Sequence, residues 1–331
     1  MKRLGSTIAS GAIALSLAIG LSLPALANDV TIAHAKGETS LKAVPRKVAV
    51  FDMATLDILN ALGVDAVAGV PKGAEGNGNF PPSLAKYANA KYQSVGTLFE
   101  PDTTALGALK PDLIIVSGRS ARKYDAVKAI APTIDMSPSA QGLAASAVQN
   151  TRKLGQVFGV SNLAEKRIAA FEAQLAALHA QGAKAGTGLV LFTAGQGVTV
   201  HAPGDRFGTA YDFVGIRPAV GPAEAAAAGP RPAVGSPEAE AAAQKRAAAL
   251  QTALATDPTW LLVIDRAAAT GAPPSSIVQR LGANPAVAAS DAWKAGRVIY
   301  LDPKTWYLVG PGIDGLAKSA TDTLAVLRAK P

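Results

Sequence analysis

A short phrase occurs twice in this chain and constrains the fold more than any other feature. It reads Pro111-Asp-Leu-Ile-Ile-Val-Ser-Gly-Arg119 and then Pro258-Thr-Trp-Leu-Leu-Val-Ile-Asp-Arg266. An apolar run without alternation is typical of a strand that is buried on both faces of a parallel sheet. Ligands of open α/β sheets bind outside the carboxyl ends of the strands, where both arginines fall. The two copies therefore predict two lobes that each offer one guanidinium to a shared cleft, which suits an anion.

Strands and helices alternate around both phrases, which indicates an α/β fold of two Rossmann-like lobes with mostly parallel central sheets. We assign an N-terminal α/β lobe to residues 28–158 and a C-terminal α/β lobe to 186–331. A single long α-helix in 159–185 is expected to join them. The helix signal runs from Asn162 to about Gln181, with Asn162 and Glu165 placed for a capping box and an apolar stripe formed by Ile168, Phe171, Leu175 and Leu178. At about 1.5 Å per residue, such a helix spans roughly 30 Å, which is enough to bridge two lobes.

Several segments carry weaker signals. Residues 29–45 read as an extended lead-in, and 121–130 as a helix. The segment 217–235 repeats the motif Arg-Pro-Ala-Val-Gly and reads as a loop, followed by an alanine-rich helix over 237–255. Residues 302–312 are expected to form a turn before the last helix.

Residues 1–27 have the pattern of a secretory signal peptide. Two basic residues precede an apolar run from Ile13 to Leu23, and Ala25-Leu26-Ala27 forms a small-residue cleavage site. A membrane anchor is the alternative, but the run is shorter than the ~20 apolar residues that span a bilayer. The chain contains no cysteine, which excludes disulfides, thiol catalysis and a lipidated cysteine. We expect an exported protein of the bacterial periplasm that is not lipid-anchored.

The charge and motifs disfavour several function classes. Loss of the signal lowers the formal net charge from +8 to +6, and the remaining basic residues are scattered, unlike the clustered patches of nucleic-acid binders. The chain has neither a Gly-x-Ser-x-Gly nucleophile elbow nor a His-Glu-x-x-His metal pair, and the first strand is not followed by a nucleotide-binding loop. Three scattered histidines make a carrier of bare zinc or manganese improbable. We therefore predict a non-enzymatic binding protein for an acidic ligand.

Four short motifs carry a family resemblance. They are Ile115–Arg119, Asp205-Arg-Phe-Gly208, Val263–Arg266 and Tyr300–Leu308, in this order and spacing. Together they resemble the periplasmic ferric-siderophore-binding proteins of ABC importers, above all the catecholate and petrobactin-type binders. The likeness extends from about Asp29 to the end of the chain. It implies the class III substrate-binding fold, in which two lobes joined by one rigid helix move only slightly around the ligand.

The resemblance also implies the site. Arginines at the positions of Arg119, Arg206 and Arg266 form a basic triad around the iron chelate, and the tyrosine at Tyr307 faces the same site and can ligate iron. A ferric tris-catecholate carries three negative charges, and one charge pair at ~6 Å contributes about 3 kcal/mol at an effective dielectric near 20. Guanidinium groups also stack on aromatic rings, unlike lysine. No intrinsic cofactor is expected, because iron(III) arrives as the siderophore complex.

The implied partners are the ferric siderophore and an inner-membrane ABC permease, with the protein itself a monomer. Acidic residues on the surface of each lobe dock on the permease in this superfamily. Glu100 matches the first-lobe position, and Glu238, or else Glu240, is the second-lobe candidate.

One feature departs from the family pattern. Related catecholate binders often carry an iron-ligating histidine between the second and third arginines, whereas the segment 216–257 contains none. The histidines are His34, His179 and His201, of which His201 lies closest in sequence to Arg206. A chelator that saturates iron by itself therefore becomes the favoured ligand. A haem- or corrinoid-binding protein of the same fold stays open as the alternative.

Overall fold

The computed structural model describes residues 30–330, apart from 74, 77, 223–231 and 274. The predicted signal peptide 1–27 and the middle of the predicted loop 217–235 lie outside the described residues. The strands are β1 Val30–His34, β2 Gly37–Leu41, β3 Val48–Val50, β4 Val67–Val70, β5 Gln93–Ser94, β6 Leu113–Val116, β7 Thr133–Asp135, β8 Thr187–Ala194, β9 Gly197–His201, β10 Arg217–Pro218, β11 Trp260–Asp265 and β12 Val298–Tyr300.

The α-helices are α1 Met53–Ala61, α2 Thr103–Leu109, α3 Tyr124–Lys128, α4 Leu143–Val157, α5 Ser161–Gly182, α6 Thr209–Val214, α7 Pro237–Leu254, α8 Arg266–Ala269, α9 Ser275–Gly282, α10 Pro285–Ala289, α11 Asp291–Lys294 and α12 Ile313–Ala329. Short 3₁₀ turns occupy Pro82–Ala88 and Ala121–Lys123, and a π-helical turn occupies Lys304–Val309. None of the described helices is long and apolar enough to cross a membrane.

Two sheets form the centres of two α/β lobes, which confirms the predicted fold class. The first sheet has the order β5-β4-β3-β6-β7, and every pair in it is parallel. The second has the order β10-β8-β11-β12 in parallel, and β9 adds to β8 as the antiparallel arm of a hairpin. Helix α5 lies between the two sheets in the chain.

The repeated phrases form β6 and β11, each of which lies between two other strands of its sheet. Every residue of both strands is buried. In β6, Leu113 and Ile115 face the main core, whereas Ile114 and Val116 face a second cluster on the other side of the sheet. Because successive side chains of a strand point to opposite faces, burial of both faces requires an unbroken apolar run.

One continuous core extends through both lobes. It includes Leu56 of α1, Phe171 of α5, Phe213 of α6 and Leu316 of α12, together with one face of each sheet. Helix α12 packs against α5 and also against α1 of the first lobe, so the end of the chain returns to the N-terminal half. The lobes are therefore connected by packing as well as by the chain.

Several local predictions are corrected. The capping box at Asn162 is wrong, because α5 begins at Ser161 without a side-chain cap and Glu165 instead accepts a 2.7 Å hydrogen bond from Arg152 Nε on α4. The extended lead-in is a β1–β2 hairpin. The helix predicted over 121–130 is a 3₁₀ turn followed by the short helix α3.

Gly182 provides a test of the close packing at the end of α5. A Cβ atom at this position would lie 2.1 Å from the main-chain oxygen of Val214, whereas a Cβ at Gly107 in α2 would meet nothing within 4 Å. We expect Gly182→Ala to lower the free energy of unfolding by about 1–3 kcal/mol through overpacking. Gly107→Ala should raise it by about 0.5–1 kcal/mol because alanine favours helices. Urea titrations of both variants would measure these changes, and equal effects would contradict the packing described here.

Candidate functional site

Two of the predicted site arginines follow directly from the ends of β6 and β11. Arg119 lies three residues after β6, in a turn where the hydroxyl of Ser120 donates to the main-chain oxygen of Ser117 at 3.1 Å. Arg266 begins α8 immediately after β11. The side chain of Asp265 caps that helix by accepting hydrogen bonds from the main-chain N–H groups of residues 267 and 268. Both arginines therefore lie at carboxyl ends of central strands, as predicted.

Tyr307 lies in the π-helical turn between β12 and α12. The carboxylate of Asp302 accepts a 2.7 Å hydrogen bond from the main-chain N–H of Thr305 and so holds the start of the turn. The neighbouring Trp306 is buried, and its indole N–H donates to the hydroxyl of Ser319 on α12 at 2.9 Å. The turn that the sequence predicted over 302–312 is thus an ordered segment with one buried face.

All three arginines converge on Tyr307. From the first lobe, the two terminal nitrogens of Arg119 donate to the main-chain oxygens of Tyr307 and Leu308 at 2.6 and 2.9 Å. Nη2 of Arg206 lies 3.5 Å from the same Tyr307 oxygen. Nε of Arg266 donates to the Tyr307 hydroxyl at 3.0 Å. The structure therefore brings together the four residues that the sequence singled out.

Aromatic rings pack against Arg206 and Tyr307. Phe192 of β8 stacks on Phe207 at 4.7 Å between ring centroids and on Tyr307 at 5.9 Å. The guanidinium carbon of Arg206 lies 4.7 Å from the centroid of Phe207 and 5.2 Å from that of Tyr307. Such cation–π contacts attract a guanidinium to ring faces and restrict where it can move. Arg206 is exposed to solvent, but these contacts restrict the orientation of its guanidinium.

The sequence analysis missed the two phenylalanines as parts of the site. Phe207 was visible in the Asp205-Arg-Phe-Gly208 motif, and its place directly after an arginine was the available signal. Phe192 lies in an apolar strand that reads as core, although the structure leaves it only half-buried.

Asp265, the carboxylate next to Arg266 in sequence, forms an ion pair with a different arginine. Oδ1 of Asp265 lies 2.6 Å from Nη2 of Arg280, and it also accepts a hydrogen bond from the hydroxyl of Thr193 at 2.8 Å. The side chains of Asp265 and Arg280 are 5% and 19% exposed, so this ion pair is largely buried. Arg266 points instead to Tyr307.

Two further carboxylates that lie close in sequence to the other site arginines, Asp205 and Asp112, also have partners elsewhere. Asp205 accepts a 3.0 Å hydrogen bond from the main-chain N–H of residue 202 and lies 3.6 Å from Nδ1 of His201. Asp112 accepts hydrogen bonds from the main chain of residues 46–47. Within the part of the chain that the structure describes, none of the three site arginines forms an ion pair. Asp265, Asp205 and Asp112 therefore leave the charges of the site arginines unpaired.

Charges across the cleft influence each other. Burial and then the charge of Arg119 lower the pKa of Arg206 from its usual value. Asp52, the N-cap of α1, also lies near Arg119, and burial raises the pKa of this carboxyl despite its hydrogen bonds to Thr55 and the nearby guanidinium. Asp52 follows the end of β3, which is the position where a cleft residue is expected. The sequence analysis missed it.

The three histidines lie at different distances from the arginines in the fold. His34 is buried in the first hairpin, where Nε2 lies 3.0 Å from the hydroxyl of Thr39. His179 lies on α5 against Gly215. His201 is the one beside the site, with its ring edge-on to Phe207 at 5.1 Å. Burial lowers the pKa of His201, which therefore favours the neutral form.

The two predicted docking glutamates are both exposed, one on each lobe. Glu100 forms ion pairs of 2.7 Å with Arg122 and with Lys123, and hydrogen bonds from Lys123 lower the pKa of its carboxyl. Glu238 lies in the first turn of α7, where a hydrogen bond with Ser236 lowers its pKa. A docking role for either residue stays a prediction.

The comparisons with known proteins agree with this arrangement. A sequence model of the family described as periplasmic binding protein matches residues 48–305, which is most of the chain. The chain belongs to this family. Petrobactin-binding protein YclQ of Bacillus subtilis is 31% identical over 294 residues, covering 88% of this chain and 86% of YclQ. The crystal structure of YclQ matches with a TM-score of 0.76 and 30% identity, over 90% of this chain and 98% of YclQ.

Two further relatives of this periplasmic binding protein have similar coverage. The crystal structure of the periplasmic catecholate-siderophore binding protein VctP of Vibrio cholerae matches with a TM-score of 0.75 and 29% identity, over 91% of this chain and 99% of VctP. Ferric-anguibactin-binding protein FatB of Vibrio anguillarum is 27% identical over 298 residues, covering 88% of this chain and 85% of FatB.

Two substitutions in this periplasmic binding protein distinguish Arg280, which pairs with the buried Asp265, from Arg266, which lies in the cleft. Removal of Arg280 would leave a buried carboxylate without its ion pair, so we expect Arg280→Ala to lower the free energy of unfolding by about 3 kcal/mol. Arg266→Ala removes an exposed guanidinium and should change it by less than about 0.5 kcal/mol. Chemical denaturation of both variants measures the difference. A larger loss for Arg266→Ala would show that Arg266, not Arg280, neutralises Asp265.

Proposed function

We propose that this periplasmic binding protein captures an anionic iron(III)–siderophore of the catecholate type between its lobes and delivers it to an inner-membrane ABC permease. The observation that carries the proposal is the convergence of three arginines from two lobes on one tyrosine, with no ion pair to a carboxylate among the described residues. The printed names of YclQ, FatB and VctP, which refer to siderophores or their iron complexes, support the same ligand class.

Charge provides the selectivity in this proposal. A ferric tris-catecholate carries three negative charges, and each pairing with an arginine at ~6 Å contributes about 3 kcal/mol at an effective dielectric near 20. The free chelator is neutral in its catechol groups and gains little from the same cations. The site would therefore select the iron-loaded form over the empty one.

Ring geometry favours an aromatic chelator. A guanidinium has two flat faces, and the contacts of Arg206 with Phe207 and Tyr307 hold it in a defined orientation at the site. A catecholate ring can stack on such a surface while its oxygens face the N–H donors. The phenol of Tyr307 can add a hard oxygen donor to iron when the siderophore leaves a coordination position open.

Arg206 provides the sharpest test of the charge argument, because it is exposed and makes only a long hydrogen bond within the protein. We expect Arg206→Ala to weaken binding of a ferric tris-catecholate by about 100-fold, the loss of one charge pair worth about 3 kcal/mol. Arg206→Lys keeps the charge but not the planar stacking surface, so an intermediate loss is expected. Arg328→Ala removes an equal charge near the end of α12 and is the matched control. Fluorescence quenching measures all three affinities.

The iron-free chelator completes this test. The triad proposal requires Arg206→Ala to weaken the ferric complex far more than the neutral apo-chelator. Equal losses for both, or an equal loss in Arg328→Ala, would refute it.

Iron ligation by Tyr307 can be measured separately. A bis-catecholate leaves two iron positions open, and a phenolate that fills one should produce a tyrosinate-to-iron charge-transfer absorption in the visible range. We expect this absorption with the wild-type protein and its loss in Tyr307→Phe. A tris-catecholate saturates iron and serves as the control, with spectra that do not change between the two proteins. An unchanged bis-catecholate spectrum in Tyr307→Phe would exclude the tyrosine as a ligand.

Haem or a corrinoid is the alternative ligand, and the stacked rings of Phe192, Phe207 and Tyr307 are the observation that favours it. A panel of ferric tris-catecholate, ferric bis-catecholate, ferric hydroxamate, haemin and cobalamin distinguishes the classes. Saturable quenching by the anionic catecholates alone supports the proposal. Binding of haemin or cobalamin alone would keep the fold and replace the ligand.

A further inference from the structure

A buried carboxylate of the first lobe connects the two halves of the molecule. Asp57 lies on α1 of the first lobe and is 2% exposed. Its Oδ1 accepts a 2.9 Å hydrogen bond from the main-chain N–H of Asp314, and its Oδ2 accepts one of 3.2 Å from that of Gly315. These N–H groups belong to the first turn of α12. Main-chain N–H groups in the first turn of a helix have no acceptor within the helix. Asp57 thus supplies a cap from the opposite lobe.

The chain is shaped closely around this carboxylate. A Cβ atom on Gly312 would lie 2.7 Å from both Cγ and Oδ1 of Asp57. A Cβ on Gly315 would lie 3.5 Å from Oδ2 and 3.3 Å from the side chain of Thr305. Residue 312 in particular must lack a side chain for Asp57 to reach the helix.

The capped end of α12 is joined to the π-helical turn that contains Tyr307 by a short series of main-chain hydrogen bonds. The N–H of Leu316 donates to the oxygen of Gly312, the N–H of Gly312 to that of Gly310, and the N–H of Gly310 to that of Thr305. The segment 304–315 is therefore held to the first lobe at two points. Arg119 holds its middle through the oxygens of residues 307–308, and Asp57 holds its end.

We propose that Asp57 is a positioning residue for the ligand site, which anchors segment 304–315 to the first lobe and so keeps Tyr307 between the arginines. Asp57 does not touch the ligand in this proposal. The effect of Asp57 on ligand affinity rests on the proposed function. The effect of Asp57 on the position of segment 304–315 does not.

The charge on Asp57 offers a way to observe the anchor. Burial, and then the neighbouring carboxylate of Asp314, raise the pKa of Asp57 to about 7. The phenol of Tyr87 also lies close enough to interact with the Asp57 charge, and Nη1 of Arg167 on α5 lies 3.9 Å from the neighbouring Asp314. Above pH 7 the carboxylate is charged and binds the positive end of α12 more strongly than the neutral acid does. The segment should therefore respond to pH in this range.

Trp306 reports on the segment directly, because it precedes Tyr307 and bonds to Ser319 on α12. Fluorine-19 NMR of the ligand-free protein labelled with 5-fluorotryptophan gives one signal for each of its three tryptophans. Trp306→Phe assigns the relevant signal. We expect this signal to titrate with a midpoint near pH 7 in the wild type and to lose that titration in Asp57→Asn. Asp314→Asn should move the midpoint to lower pH, since it removes the charge that helps to raise the pKa of Asp57.

Affinity provides the second readout. We expect Asp57→Asn and Gly312→Ala each to weaken ferric tris-catecholate binding about tenfold, which corresponds to about 1.4 kcal/mol. Asp112→Asn is the matched control, because Asp112 also accepts two main-chain hydrogen bonds, from residues 46 and 47, but not in segment 304–315. Its affinity should equal that of the wild type even if its stability falls.

Two results would overturn the proposal. One is a Trp306 signal that does not titrate near pH 7 in the wild type, or that titrates unchanged in Asp57→Asn. The other is wild-type affinity in Gly312→Ala or an equal loss of affinity in Asp112→Asn. The wild-type and Asp314→Asn titrations need no change at Asp57, so they decide the matter even if Asp57→Asn does not fold. Failure of the wild type to bind any siderophore would refute the proposed function and leave the NMR test intact.

Discussion

The contact between Arg119 and the main chain of residues 307–308 is the interaction on which the rest of the site depends. It crosses from the first lobe to the second, and it joins a charged side chain to carbonyl oxygens that no substitution at those positions can remove. Two of its five N–H donors are used in this way, so the guanidinium is oriented before a ligand arrives. Tyr307 is held at its main-chain oxygen by Arg119 and Arg206 and at its hydroxyl by Arg266. The site is thus assembled from residues of both lobes.

This arrangement requires lobes that keep their relative positions, and the packing supplies that constraint. The core continues from the first sheet through α5 and α12 to the second sheet, while the outer faces of the sheets have separate clusters. Large hinge motion would expose part of this shared apolar surface, at a cost of roughly 25 cal/mol for each Å². Small movements of the lobes expose less of this surface and are less costly. The physical basis of the site is therefore a preorganised cluster of cations on a stiff frame.

Prediction from the sequence succeeded for strands whose burial imposes an apolar pattern. It failed for local structure that depends on contacts with other elements. The unbroken apolar runs of β6 and β11 required two buried faces, and the strand bounds 113–116 were correct as predicted. The capping box at Asn162 was wrong because Arg152, ten residues earlier on another helix, takes Glu165. Helix α4 was also missed, and so was the β1–β2 hairpin, which packs against β7, a strand remote in sequence. The docking glutamates and the signal peptide stay predictions.

The sequence by itself determined the two-lobe α/β class and the strand-end places of Arg119 and Arg266, because periodicity and the repeated phrase record these directly. The site roles of Arg206 and Tyr307 came from the family resemblance of short motifs and stay predictions. Only the tertiary structure decided that Asp265 pairs with Arg280 and leaves Arg266 to Tyr307, and that Asp57 caps a helix more than 250 residues away. Pairing of charges depends on distances between side chains, and local sequence does not record distances between segments that meet only after folding.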